Sequence, residues 1–161
     1  IIFTHPNGDP GSDEILEQII RFGAARTSAT VVPSLGRTLY LNALNQADCV
    51  VGNSSSGIVE TASLKIPAVN IGNRQKGRIR PDNVINTDYE LGNLTAAWNR
   101  ALSHSFRQGI YGIENPYGDG RSVKKIMAAL EHNLSNKSLW HKRFYDSGDE
   151  NARDVTVPGA G

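Results

Sequence analysis

Short apolar runs alternate with longer amphipathic stretches along most of this chain, and that alternation restricts the fold more than any other feature. Ile1–His5, Thr30–Val32, Asp48–Val51, Ala68–Ile71 and Asn83–Asn86 read as strands. Ser12 or Asp13 through Arg26, Thr38–Gln46, Ser56–Leu64, Leu91–Ser103 and Ser122–Leu134 read as helices. Ile15, Ile19, Ile20 and Phe22 supply the apolar stripe of the first helix, and Leu41 and Leu44 that of the second. Strands separated by helices need crossover connections, and right-handed crossovers lay the strands parallel. The expected class is therefore α/β, with a parallel sheet flanked by helices. The sequence has no internal repeat and no low-complexity tract.

The 161 residues suffice for one domain with a sizeable core. Hydrophobic content of 39% and charged content of 20% are globular values, and a net charge of +1 speaks against a nucleic-acid surface. No run reaches the roughly 18 apolar residues of a membrane span, and no basic-then-apolar leader is present. The single cysteine, Cys49, precludes an internal disulfide framework and reads as a small core residue. These features together lead us to expect a cytoplasmic protein without membrane partners.

The stretch Val50-Val51-Gly52-Asn53-Ser54-Ser55-Ser56-Gly57-Ile58-Val59-Glu60 describes a strand, a tight turn and a helix N-terminus. Such an N-terminus has backbone N–H groups without intrahelical partners and about half a positive charge, which suits an anion. Serine hydroxyls there can donate to phosphate oxygens, and Gly57 admits close backbone approach. Glu60 shares a helix face with Ser56 and would repel phosphate, so sugar hydroxyls are its better partner. An ordinary serine N-cap with an acid in the first turn accounts for the same residues equally well.

The next strand-like run leads into Asn73-Arg74-Gln75-Lys76-Gly77-Arg78-Ile79-Arg80, four cations in one loop. A charge run is usually a solvated face. With a standard crossover, however, this loop leaves the same sheet edge as the serine turn, where ligands of open α/β sheets bind. Hydroxyls, helix N–H groups and guanidinium then converge as a diphosphate site. His5 also ends a strand, where a histidine is more often a structural hydrogen-bonder. Ser34–Tyr40 reads either as a loop with Thr38 capping a helix or as a flat edge for a nucleobase. Asn115–Arg121 reads as a turn with a cap or as a second loop closing over a ligand. His104, His132 and His141 read as surface residues. There is no phosphate loop of the Gly-x-x-x-x-Gly-Lys-Ser/Thr type and no metal-ligand spacing, so neither cofactor nor metal is expected.

Five blocks in order, His5-Pro6-Asn7, Ser34-Leu35-Gly36-Arg37, Gly52–Glu60, Asn70–Arg78 and Asn115–Gly120, make the chain resemble the hydrolysing UDP-N-acetylglucosamine 2-epimerases of sialic-acid and legionaminic-acid type pathways. The resemblance runs from about Ile1 to Phe144. It implies a two-domain, glycosyltransferase-B-like enzyme of facing Rossmann-like halves, with this chain as the C-terminal one and the N-terminal domain absent from it. The division it suggests is a UDP-binding domain over residues 1–145 and an irregular tail over 146–161. It also implies roles: Ser54, Ser55, Ser56 and Gly57 on phosphate, Glu60 on ribose, Arg74 on diphosphate, and His5 as a catalytic group facing the leaving group. The implied reaction removes the C2 proton, eliminates UDP and hydrates the glycal to a free 2-epimeric sugar, N-acetylmannosamine or a diacetamido analogue. Most of the acids for this lie in the other domain, so the chain alone is expected to be inactive, docking on its own N-terminal domain and forming a homo-oligomer. Alternative readings are a non-hydrolysing 2-epimerase, the donor-binding half of a glycosyltransferase, and a nucleotide-binding module without chemistry. The non-hydrolysing enzymes usually carry a Ser-Gly-Gly turn where this chain has Ser55-Ser56-Gly57.

Overall fold

A computed structural model describes residues 1–134. The tail expected from residue 146 and His141 lie outside the described residues. Two compact units are present, one over Ile1–Tyr117 and one from Gly118 onward.

The first unit runs β1 (Ile2–Thr4), α1 (Ser12–Ala24), β2 (Thr30–Val32), α2 (Gly36–Gln46), β3 (Val50–Gly52), α3 (Ser56–Leu64), β4 (Ala68–Ile71), β5 (Val84–Thr87), α4 (Leu91–Leu102) and α5 (His104–Gly109). Every strand pairing is parallel, as the crossover argument required. The expectation of one sheet needs correction: among the described residues β1 pairs only with β2, and β3, β4 and β5 form a separate sheet in that order. The fold is thus α/β with parallel, Rossmann-like sheets flanked by helices.

The larger sheet holds the core. Val69 of β4 and Ile85 of β5 pack with Ala97 and Ala101 of α4, and Cys49 lies against this cluster. Small residues on α4 let the helix lie close to the sheet, which is why alanines form the contact. Cys49 is half-buried rather than fully interior, and burial pushes its thiol up to about 11, so it stays protonated at neutral pH. Ile58 and Ala62 of α3, which also packs on β4, are fully buried. The smaller sheet is less well covered. Ile15 and Ile20 of α1 are 55% and 50% exposed, contrary to the expected stripe, because a two-stranded sheet is too narrow to cover a face that broad.

Helix ends also depart from the sequence reading. Gly11, in the left-handed region at φ 83°, precedes α1 where Ser12 or Asp13 was expected to cap. Thr38 lies inside α2, which opens at Gly36 (φ 61°), and Ser34 Oγ accepts the Gly36 N–H at 3.1 Å. α3 has the expected bounds and ends on Lys65 at φ 57°, ψ 39°, a left-handed conformation that a Cβ disfavours. Lys65→Gly should therefore stabilise the fold by about 0.5–1 kcal/mol, read as a higher urea midpoint at unchanged slope.

In the second unit α6 (Ser122–Asn133) follows a turn in which Asp119 Oδ1 accepts the Arg121 N–H at 3.0 Å. That bond, more than the nearby cations, holds the Asp119 carboxyl below its ordinary range. The helix carries Val123, Ile126, Met127 and Leu130 at helical spacing, all exposed.

Candidate functional site

Parallel pairing of Gly52 with Asn70 puts the carboxyl ends of β3 and β4 side by side. The serine turn leaves the first and the cationic loop leaves the second, so the sheet edge inferred from sequence is the one observed. One side chain joins the two loops. Gln75 is buried at 3% exposure among four exposed cations, and its Nε2 donates to the Asn53 carbonyl at 2.7 Å. Its neighbour Arg74 is left 40% exposed beside the turn and makes an ion pair with Asp9 at 3.4 Å. Asp9 lies in the loop after β1, so the loops of three strands meet here.

At the start of α3 the serines do not behave as an ordinary cap. Ser55 occupies the N-cap position with helical φ and ψ, and its side chain makes no capping bond. The Gly57 and Ile58 N–H groups are held by the Ser54 and Ser55 carbonyls at 3.2 and 3.0 Å. Ser54 Oγ accepts the Ser56 N–H at a long 3.4 Å. The simple N-cap reading therefore fails for Ser55, whose hydroxyl remains available to a ligand. Ser56 Oγ is instead hydrogen-bonded to the Tyr40 hydroxyl of α2. Burial raises the Tyr40 pKa, the Ser56 hydrogen bond opposes that, and the Glu60 charge adds to it. Tyr40, Ser56 and Glu60 thus form one group at the α2–α3 contact.

His5 follows β1 with its N–H on the Val32 carbonyl at 3.1 Å, and among the described residues its imidazole makes no hydrogen bond or ion pair. The structure brings Ser54, Ser55, Ser56, Gly57, Glu60 and Arg74 together around α3, while it ties His5 to them only through the loop carrying Asp9. The Asn115 segment closes on the same helix. Asn115 Nδ2 donates to Val59 O at 2.8 Å and Ser63 Oγ at 2.7 Å, and Tyr117 Oη donates to Ile79 O at 2.7 Å in the cationic loop. Gln75 and Tyr40 are the members whose roles sequence reading missed. An uncharged amide set within a run of cations was the available signal for the first.

A cavity of about 480 Å³ lies between β5 and α4 along Asn86–Asp88, Asn93 and Arg100, and none of the candidate site residues lines it. Among the described residues no cluster of His, Cys, Asp and Glu could hold a metal ion, and no helix is long and apolar enough to cross a membrane.

Parallel strands with helices between them, and with a hydroxyl-rich helix start and an arginine loop at adjacent carboxyl ends, define a Rossmann-like α/β protein. A family model described as UDP-N-acetylglucosamine 2-epimerase matches residues 1–131, and the chain belongs to that family. It is 36% identical over 149 residues to the GDP/UDP-N,N'-diacetylbacillosamine 2-epimerase (hydrolyzing) of Campylobacter jejuni, covering 91% of the chain and 38% of that protein. It is 31% identical over 152 residues to the UDP-N-acetylglucosamine 2-epimerase of Neisseria meningitidis, covering 91% and 38%. The UDP-N,N'-diacetylbacillosamine 2-epimerase (hydrolyzing) of Legionella pneumophila matches at 31% over 131 residues, 81% of the chain and 33% of that protein. The chain thus spans little more than a third of the length of these relatives.

Proposed function

We propose that this chain is the UDP-binding half of a hydrolysing UDP-N-acetylglucosamine 2-epimerase or a diacetamido-sugar counterpart. The observation that carries the reading is the Gln75–Asn53 bond, which clasps an arginine loop to a serine-rich helix start. Membership of the epimerase family supports the same ligand class, and two of the relatives bear the word hydrolyzing in their names. In this reading residues 1–145 are a C-terminal Rossmann-like domain facing an N-terminal partner across a cleft, as in glycosyltransferase-B-like enzymes.

The chemistry follows from where charge develops. Elimination of UDP from the sugar leaves negative charge on the β-phosphate as the C2 proton is removed. Groups that hold this charge more tightly in the transition state than in the substrate accelerate the step. Arg74 offers a planar pair of N–H donors, the Ser54 and Ser55 hydroxyls offer further donors, and His5 would face the leaving group. Glu60, one turn along α3, would accept from the ribose hydroxyls. Tyr40, by bonding Ser56 Oγ, keeps that hydroxyl turned toward α2.

Roles along α3 separate by ligand. Ser54→Ala combined with Ser55→Ala should weaken UDP binding by about tenfold or more while leaving uridine nearly unchanged, since the partners are phosphates. Glu60→Gln should weaken both ligands alike. Equal losses for uridine in the serine variant would show the roles to be misassigned. The activity itself is tested by incubating the full-length gene product with UDP-N-acetylglucosamine and with its 2,4-diacetamido analogue. UDP together with a free 2-epimeric sugar is the expected outcome. A released UDP-sugar epimer would establish the non-hydrolysing reaction instead, and binding without turnover a nucleotide-binding module.

A further inference from the structure

Gln75 stands apart from the rest of its loop. From Asn73 to Arg80 it alone is buried, and the residues on both sides of it are exposed. Its Nε2 donates to the Asn53 carbonyl at 2.7 Å, while its Oε1 is buried and has no partner among the described residues. A buried acceptor left alone costs folding free energy, and an apolar side chain of the same shape would avoid that cost. Asn53 itself is exposed, so water can reach this turn when the amide is gone. Stability alone gives little reason for an amide at this position.

The bond acts midway along the cationic loop. At the start of the loop the Gly72 N–H donates to the Thr87 carbonyl at 2.8 Å, and near its end the Ile79 carbonyl accepts from Tyr117 Oη. Between them the Lys76 and Arg78 N–H groups close turns on the Asn73 and Gln75 carbonyls, at 2.8 and 3.3 Å. These bonds shape the loop without tying it to the serine turn. Among the described residues only the Gln75–Asn53 bond does that, one residue from Arg74 on one side and one residue from Ser54 on the other. We propose that Gln75 is a positioning residue that makes the site selective for a nucleoside diphosphate over a monophosphate, by holding Arg74 at a fixed distance from the Ser54 and Ser55 hydroxyls. This rests on the reading of Arg74 and the two serines as phosphate ligands.

The two phosphoryl groups of a diphosphate share a bridging oxygen, so their outer oxygens keep a nearly constant separation. Two loops grip both groups well only when their own separation is equally constant. The serines, on the helix that carries Glu60, would take the phosphoryl group next to the ribose, and Arg74 the terminal one. A monophosphate engages the serines alone and is indifferent to where Arg74 sits. An amide suits the task better than its alternatives. Lysine at 75 would bury a charge, methionine fills the same volume without an N–H, and asparagine falls one methylene short of Asn53.

Calorimetric titration of UDP and UMP into the full-length gene product and its variants tests this. The parent should prefer UDP by at least ~10-fold, the value of one charge-assisted contact. Gln75→Met should lose at least ~10-fold in UDP affinity with UMP affinity unchanged, and should melt within ~3 °C of the parent. Gln75→Asn keeps a polar amide but withdraws it from Asn53, so it should show the same one-sided loss, and it decides the matter if the methionine variant does not fold. A UDP-to-UMP preference equal to the parent's in the variants would overturn the proposal. So would equal losses for both nucleotides, which would leave Gln75 a purely structural residue. A parent that binds neither nucleotide would remove the phosphate reading itself, and this inference with it.

Discussion

Arg74→Ala is expected to weaken UDP binding by about 1.5–3 kcal/mol, roughly 10- to 150-fold, without a comparable loss of stability. The guanidinium is 40% exposed and its only ion-pair partner among the described residues is Asp9 at 3.4 Å, an exposed contact that contributes little to folding. A diphosphate offers more charge and a fork-matching pair of oxygens, so it displaces Asp9 as the partner. Asp9→Asn should accordingly bind UDP no more weakly than the parent. Calorimetric titration of UDP into the three proteins measures both effects. Equal affinity of the Arg74 variant and the parent would move the phosphate contact to another cation of the loop, or remove the site from this edge.

Asn83→Ala should cost about 2–3 kcal/mol of folding stability, measured by urea denaturation. Asn83 is fully buried and immediately precedes β5. Its Nδ2 donates to Thr61 Oγ1 at 3.0 Å and to the Ile66 carbonyl at 2.7 Å, and its own carbonyl accepts the Ala68 N–H at 2.9 Å. Thr61 Oγ1 in turn donates to the Gly57 carbonyl at 3.0 Å. This chain of bonds ties β5 and the α3–β4 connection to the first turn of α3. Truncation leaves the Ile66 carbonyl without this donor, Thr61 without its bond from Asn83, and an empty volume besides. A loss below about 0.5 kcal/mol would show the network to be dispensable.

How far the sequence could be read depended on whether a signal was local. The bounds of α3, Ser56–Leu64, followed from the hydroxyl run and the apolar positions after it, and the structure has the same bounds. The convergence of the serine turn and the cationic loop followed from parallel topology alone. α5 was missed because the reading closed the preceding helix at Ser103, when Ser103 caps the next one by accepting the Phe106 N–H at 3.3 Å. Gln75 and Asn83 were illegible for another reason. Their partners, Asn53 and Thr61, stand 22 residues away, and no periodicity encodes a single buried amide. The split into two sheets was hidden likewise, since strand propensity marks each strand but not which strands pair. His5 illustrates the limit: its place after β1 was legible, its use was not.

The account stands or falls on whether a nucleoside diphosphate binds at the start of α3. Titrating UDP into the 161-residue chain and following backbone amide resonances addresses that directly. Saturable shifts should concentrate at Ser54, Ser55, Ser56 and Gly57 and in the loop around Arg74, with uridine perturbing the Glu60 end but sparing the serines. Binding at the cavity between β5 and α4, or no saturable shift at the serine turn, would contradict it.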